Sequence, residues 1–140
     1  MAFTAVVGYN ESPGARAALD VALGLVERLR GRLIIACLFD APPDPMICDE
    51  LRAEGERIAK GALMAAGNRR IRAESVVANR PIAEGLLEIA EKRCADMLFV
   101  GTRGESLLLG AILGSTCHKL VHCTTVPLVV VPPAAGIVQA

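Results

Sequence analysis

Residues 97–104 read MLFVGTRG, and nine residues later residues 114–116 read GST. The first four residues, Met97 to Val100, form a short apolar run of the kind that fills a buried strand. Gly101 and Gly104 stand three apart directly after it, and glycine lets a backbone approach a ligand closely. Gly114 and Ser115 then open a short helix over Ser115 to Cys123. The free N–H groups at such a helix start sit at its positive end and suit a phosphate. Arg103 lies between the two glycines, where its guanidinium could add a fork of donors, and the Ser115 hydroxyl could add one more. The simpler alternative is that the glycines only turn the chain and Ser115 only caps a helix.

Working outward, the same order of strand, turn and helix recurs. Ala2 to Tyr9 (AFTAVVGY) is a first apolar, β-branched strand, and NESPG at 10–14 is turn chemistry. Ser12 followed by Pro13 fits an N-cap and a first helical position. Ala17, Ala18, Val21, Leu25 and Leu29 follow at helical spacing, and Gly31 is expected to end that helix. Leu33 to Phe39 is a continuous apolar strand, and 40–45 (DAPPDP) is a loop. A second helix spans Cys48 to Ala66, with Leu51, Ile58, Ala62 and Met64 among its apolar positions. Ile71 to Ala78 is a third strand. Pro81 opens a third helix through Arg93, with Ile82, Leu86, Ile89 and Ala90 expected inside. Pro127 to Val131 is the last strand. Strands alternating with helices predict a parallel α/β sheet in one domain over 1–140, with right-handed crossovers and helices on both faces. A ligand in such a sheet sits beyond the carboxyl ends of the strands, where the strand order reverses.

Composition narrows the function. The chain has 140 residues, 53% hydrophobic but only 3% aromatic, with Lys plus Arg equal to Asp plus Glu at 15 each. That is enough apolar material for a core built from Ala, Val, Leu and Ile, so disorder is excluded. A neutral chain lacks the basic excess of a duplex binder, and a chain poor in aromatics lacks a base-stacking platform, so no nucleic-acid partner is expected. The charge-free stretch from Leu120 to the end contains Pro127, Pro132 and Pro133 and reads as helix end, strand and tail, with no membrane span expected. Five cysteines, no CxxC and an opening that runs straight into an apolar strand predict reduced thiols and a cytoplasmic location.

With these elements in order, the chain resembles the universal stress protein family. The residues that carry the resemblance are VVGYNESPGARAAL at 6–19, CADMLFVGTRG at 94–104, the spacing to Gly114-Ser115, and VPLVVVP at 126–132. The resemblance implies a five-stranded parallel sheet of order 3-2-1-4-5, Rossmann-like, and an adenine nucleotide, ATP or AMP, as ligand. It implies that Gly8 and Asn10 line the nucleotide and that Leu38 faces the adenine. Val100, Gly101, Arg103 and Gly104 would cover the ribose and phosphates, and Gly114, Ser115 and Thr116 would hold the phosphates. It further implies a homodimer through the last strand, with Leu128, Val129, Val130 and Val131 at the interface, and a regulatory partner it does not name. The family commonly has Asp at the position of Asn10 and often Gly at that of Glu11. An amide supplies no carboxylate to a metal, so an accompanying Mg²⁺ is in question. Glu11 is expected to be solvated.

The remaining groups carry less. Cys117, His118, His122 and Cys123 share one short helix but spread over too wide an arc to close a tetrahedral site, so no metal site is assigned. Cys37 and Cys94 are expected in the core. Neither histidine has a positioned nucleophile, so no catalytic residue is assigned and ATP hydrolysis would be slow at most. Asp40 and Asp44 are the nearest acidic residues to the predicted cleft. The charge-free VPLVVV needs a cover at the sheet edge, and strand pairing across a two-fold axis supplies one.

Overall fold

The structure, a computed structural model, describes residues 2–102 and 114–133. Its elements are β1 (Thr4–Gly8), α1 (Pro13–Leu29), β2 (Arg32–Phe39), α2 (Pro45–Asn68), β3 (Arg72–Asn79), α3 (Ile82–Lys92), β4 (Met97–Gly101), α4 (Ser115–Cys123) and β5 (Leu128–Val131). The five strands form one parallel sheet in the order β3-β2-β1-β4-β5, as expected. The chain builds outward from β1 to β3 and then returns to lay β4 on the other side of β1. That reversal puts the two helix pairs on opposite faces. Val7, Leu33, Ile35 and Phe99 meet α1 and α2, and Val6, Ile34, Leu98 and Val100 meet α3 and α4. Both faces are buried, which is why the central strands are apolar at successive positions instead of alternate ones.

α1 begins as its sequence predicts: Ser12 is the N-cap, its hydroxyl accepting from Ala15 N–H at 3.3 Å, and Pro13 follows at the first position. Its end differs. Arg30, not Gly31, takes the left-handed conformation, at φ 53°. Gly31 serves a close approach: a Cβ there would lie 2.3 Å from the Phe3 carbonyl oxygen, which accepts from Arg32 N–H at 2.8 Å.

Three further expectations are corrected. The inner stripe of α2 is Gly55, Ala59, Ala62 and Ala66, while Met64 is 63% exposed and Leu51 lies at the surface. The helix lies so close to the sheet that a Cβ on Gly55 would stand 2.9 Å from Val77 Cγ1, and only small side chains fit beneath it. In α3 the buried positions are Ala83, Gly85, Leu86 and Ala90. Ile89 is half-buried and packs against the core as expected, but Ile82 is exposed at the helix start. Cys37 is buried as expected, but Cys94 is exposed, in the left-handed turn that follows α3 (φ 51°).

Candidate functional site

The reversal between β1 and β4 leaves a pocket at their carboxyl ends with a volume of about 220 Å³. Eight of the residues picked out from sequence line it: Gly8, Asn10, Leu38, Val100, Gly101, Gly114, Ser115 and Thr116. Arg103 and Gly104 lie outside the described residues. The carboxyl ends of β1, β2 and β4 and the start of α4 supply the eight, and the sheet order brings them together. Gly101 ends β4 against the start of α1, where a Cβ would meet Gly14 backbone atoms at 2.6–2.8 Å. Thr102 N–H donates to Val131 C=O at 3.0 Å, and Gly114 N–H donates to Thr102 C=O at 2.6 Å. These bonds hold the start of α4 beside the end of β4.

Three helices begin at this pocket: α1, α4 and α3, whose first residue Ile82 lines it and whose N-cap Pro81 makes no side-chain cap bond. The starts of α1 and α4 differ. The start of α1 is closed by its own Ser12 cap. The start of α4 has Gly114 as N-cap and no side-chain hydrogen bond to its first turn. The first N–H groups of a helix have no partner within it. Those of Ser115, Thr116 and Cys117 therefore stand at the pocket wall with the positive end of the helix behind them. α4 is tied to α3 by Lys119 Nζ donating to Glu84 Oε2 at 2.7 Å. That hydrogen bond is the main reason the Glu84 carboxyl is held below the usual range.

The loop after β1 is built on Asn10. Its Oδ1 accepts from Ser12 N–H at 3.1 Å and from Ser12 Oγ–H at 2.7 Å, which leaves the Nδ2 hydrogens as the donors it can offer a ligand. Glu11 takes the left-handed conformation at φ 66°, the geometry that favours glycine. Its carboxylate is not free in solvent: it pairs with Arg57 of α2 at 3.0 Å, and Glu11 is not among the pocket residues.

Sequence reasoning missed Tyr9, Ser12, Ala15, Ala36, Ile82, Leu86 and Cys117, which complete the lining. Ile82 and Leu86 of α3, with Leu38, Ala36 and Val100, make an apolar floor. Burial pushes the Cys37 thiol beneath the sheet up to about 12 and raises the Tyr9 phenol and the Cys117 thiol, so these groups stay neutral at ordinary pH. No carboxylate lines the described pocket. Asp40 is absent from it, and Asp44 caps α2 by accepting from Met46 N–H at 3.0 Å. The described groups are hydroxyls, amides and backbone N–H groups, without the one or two carboxylates that usually hold a Mg²⁺ alongside substrate phosphates. Among the described residues no three His, Cys, Asp or Glu side chains gather as metal ligands, and His118 and His122 only pack edge to face at 4.7 Å.

The sequence profile of the universal stress protein family matches residues 1–132. The chain belongs to that family. The universal stress protein YxiE of Bacillus subtilis (strain 168) is 33% identical over 85 residues, which are 61% of this chain and 57% of that protein. The match thus spans little more than half the length of that relative. A universal stress protein solved in complex with cAMP is 25% identical with a TM-score of 0.75, covering 94% of this chain and 98% of that one. A universal stress protein from Archaeoglobus fulgidus solved with dAMP is 14% identical with a TM-score of 0.75, covering 92% of this chain and 97% of that one. That last likeness bears on the fold. Among the described residues no helix is long and apolar enough to cross a membrane.

Proposed function

We propose that this universal stress protein binds an adenine nucleotide in the cleft between the carboxyl ends of β1 and β4. The observation that carries the reading is the pairing of an apolar floor with an uncapped helix start across one pocket. The adenine lies on Leu38 and Ile82, and the Asn10 amide donates toward the sugar side. The phosphate accepts from the α4 N–H groups and from the hydroxyls of Ser115 and Thr116. The cAMP complex of a 25% identical family member supports the same class of ligand. The absence of carboxylates among the described lining residues favours recognition of AMP or ATP through backbone donors, with Mg²⁺ unnecessary. Bound nucleotide alters the surface beside the pocket, and a regulatory partner in the cytoplasm reads that surface. Thermal melts with ATP, ADP, AMP and cAMP test this. A ligand at a hundredfold over its Kd stabilises the native state by about 2.7 kcal/mol. No rise in Tm with any of the four at millimolar concentration overturns nucleotide binding.

We infer a homodimer, and the sheet edges support it. β3 carries Arg72 and Glu74 along its edge, charges that discourage pairing. β5 carries none: Leu128, Val129 and Val130 are half-buried and Val131 is buried, with β4 the strand paired to it. A second copy pairing there covers the exposed remainder. Val130→Lys is expected to halve the mass seen by light scattering, and an unchanged dimer mass overturns the interface.

A further inference from the structure

At the opposite end of the sheet, Arg30, Arg32, Arg69, Arg70 and Arg72 line a groove of about 430 Å³. Glu27 is the carboxylate in its lining, and it is taken by Arg69 at 2.8 Å. Of the acids nearby, Glu74 pairs with Arg93, and Asp96, which shares a neighbouring hollow with Arg32 and Arg72, accepts from Thr4 N–H at 2.9 Å and forms no ion pair with either. Among the described residues no carboxylate pairs with Arg30, Arg32, Arg70 or Arg72. Arg32 donates from Nε to the neutral Thr4 hydroxyl at 3.2 Å.

Helix ends explain part of this cluster. α1 and α2 finish here, and cations at helix carboxyl ends offset the dipole. That covers Arg30, Arg69 and Arg70. It does not cover Arg32 and Arg72, which open β2 and β3 and stand opposite each other in the strand register. Parallel neighbours lie about 4.8 Å apart, and like charges so placed repel. Arg30 and Arg70 add a second cost, since each occupies a left-handed position (φ 53° and 58°) that glycine would fill without strain.

We propose that this groove binds a compact polyphosphate, a small molecule carrying several phosphate groups close together. Guanidinium forks match phosphate oxygens two at a time. The groove has the volume of a small-molecule site, which runs to roughly 300–1,000 Å³. An extended acidic peptide spaces the carboxylates on one face about 7 Å apart, too sparse for arginines on adjacent strands. Among the described residues no aromatic side chain lines the groove to stack a base. The source is either a linear inorganic chain or a polyphosphorylated ring.

Calorimetric titration of the full chain with inorganic tripolyphosphate and, separately, inositol hexakisphosphate tests the proposal. At least one of the two is expected to bind saturably, and the tighter one names the source. Arg32→Ser with Arg72→Ser is expected to weaken that binding at least tenfold, while the ligand-free Tm stays level or rises because the repulsion is gone. Arg30→Gly with Arg70→Gly removes two guanidiniums at positions glycine fits, so it tests the groove in a variant free of that strain, and a similar loss is expected. Failure of both probes to bind, unchanged affinity in both double variants, or equal competition by polyglutamate or by a short single-stranded oligonucleotide overturns the proposal.

Discussion

At the carboxyl end of the sheet the pocket is walled by neutral side chains and by backbone donors at the start of α4. At the amino end the groove is walled by arginines, with one carboxylate among them. The contrast follows from chain direction. Every strand here is parallel, so one end collects helix starts and the other collects helix finishes. Helix starts offer N–H groups and need no side-chain charge to attract an anion. Helix finishes present carbonyls and draw cationic side chains to themselves. A net charge of +0 over the whole chain therefore conceals a strongly polarised molecule.

Each end is also closed by a glycine against backbone, and these two positions are expected to give the largest effects. Gly31→Ala drives a Cβ to 2.3 Å from the Phe3 carbonyl oxygen, and Gly101→Ala drives one into the Gly14 backbone at 2.6–2.8 Å. Overpacking costs about 1–3 kcal/mol, and since backbone yields less readily than side chains, both variants belong at the upper end. Gly61 of α2 has nothing within 4 Å of its Cβ position, so Gly61→Ala is expected to stabilise the helix by about 1 kcal/mol. Urea midpoints compare the three. Equal changes at all three positions would remove the argument from close approach.

The smallest effect separates the ends by acid. The Lys119 hydrogen bond lowers the Glu84 carboxyl in the folded state relative to the unfolded chain. Its contribution is therefore full above the ordinary glutamate value of about 4.3 and is lost as pH falls through the depressed value. Glu84→Gln is expected to lower Tm slightly at neutral pH, with the gap to wild type closing in acid. A gap independent of pH would contradict the tie. Guanidiniums hold their charge throughout this range, so the charge of the arginine groove should not fade with it.

Much of this was readable from residues alone. The strands show as apolar runs because both faces are covered, and α4 spans Ser115–Cys123 in sequence and structure alike. Gly101 and Ser115 could be named because loops after strands converge where the order reverses, while Gly8 and Leu38 were named from the resemblance to the family. What was not readable depends on distance across the fold. The inner face of α2 is alanine and glycine because the helix lies close to the sheet, while hydropathy points to the larger Leu51 and Met64, which face out. Ala36 and Leu86 enter the pocket floor from elements whose own sequences carry no sign of a ligand. The arginine groove was hidden for the same reason: its members come from two separate turns, 30–32 and 69–72, joined by strand register.

Nucleotide binding at the carboxyl end is tested most directly by titrating AMP into wild type and Ser115→Glu by calorimetry. A carboxylate in the first turn of α4 favours the helix but repels a phosphate from the N–H groups it would accept from. Saturable binding of one AMP per chain is expected in wild type. In the variant, binding should be lost while Tm stays at or above the wild-type value. No binding to wild type, or equal binding to both proteins, would contradict the placement of the nucleotide at the start of α4.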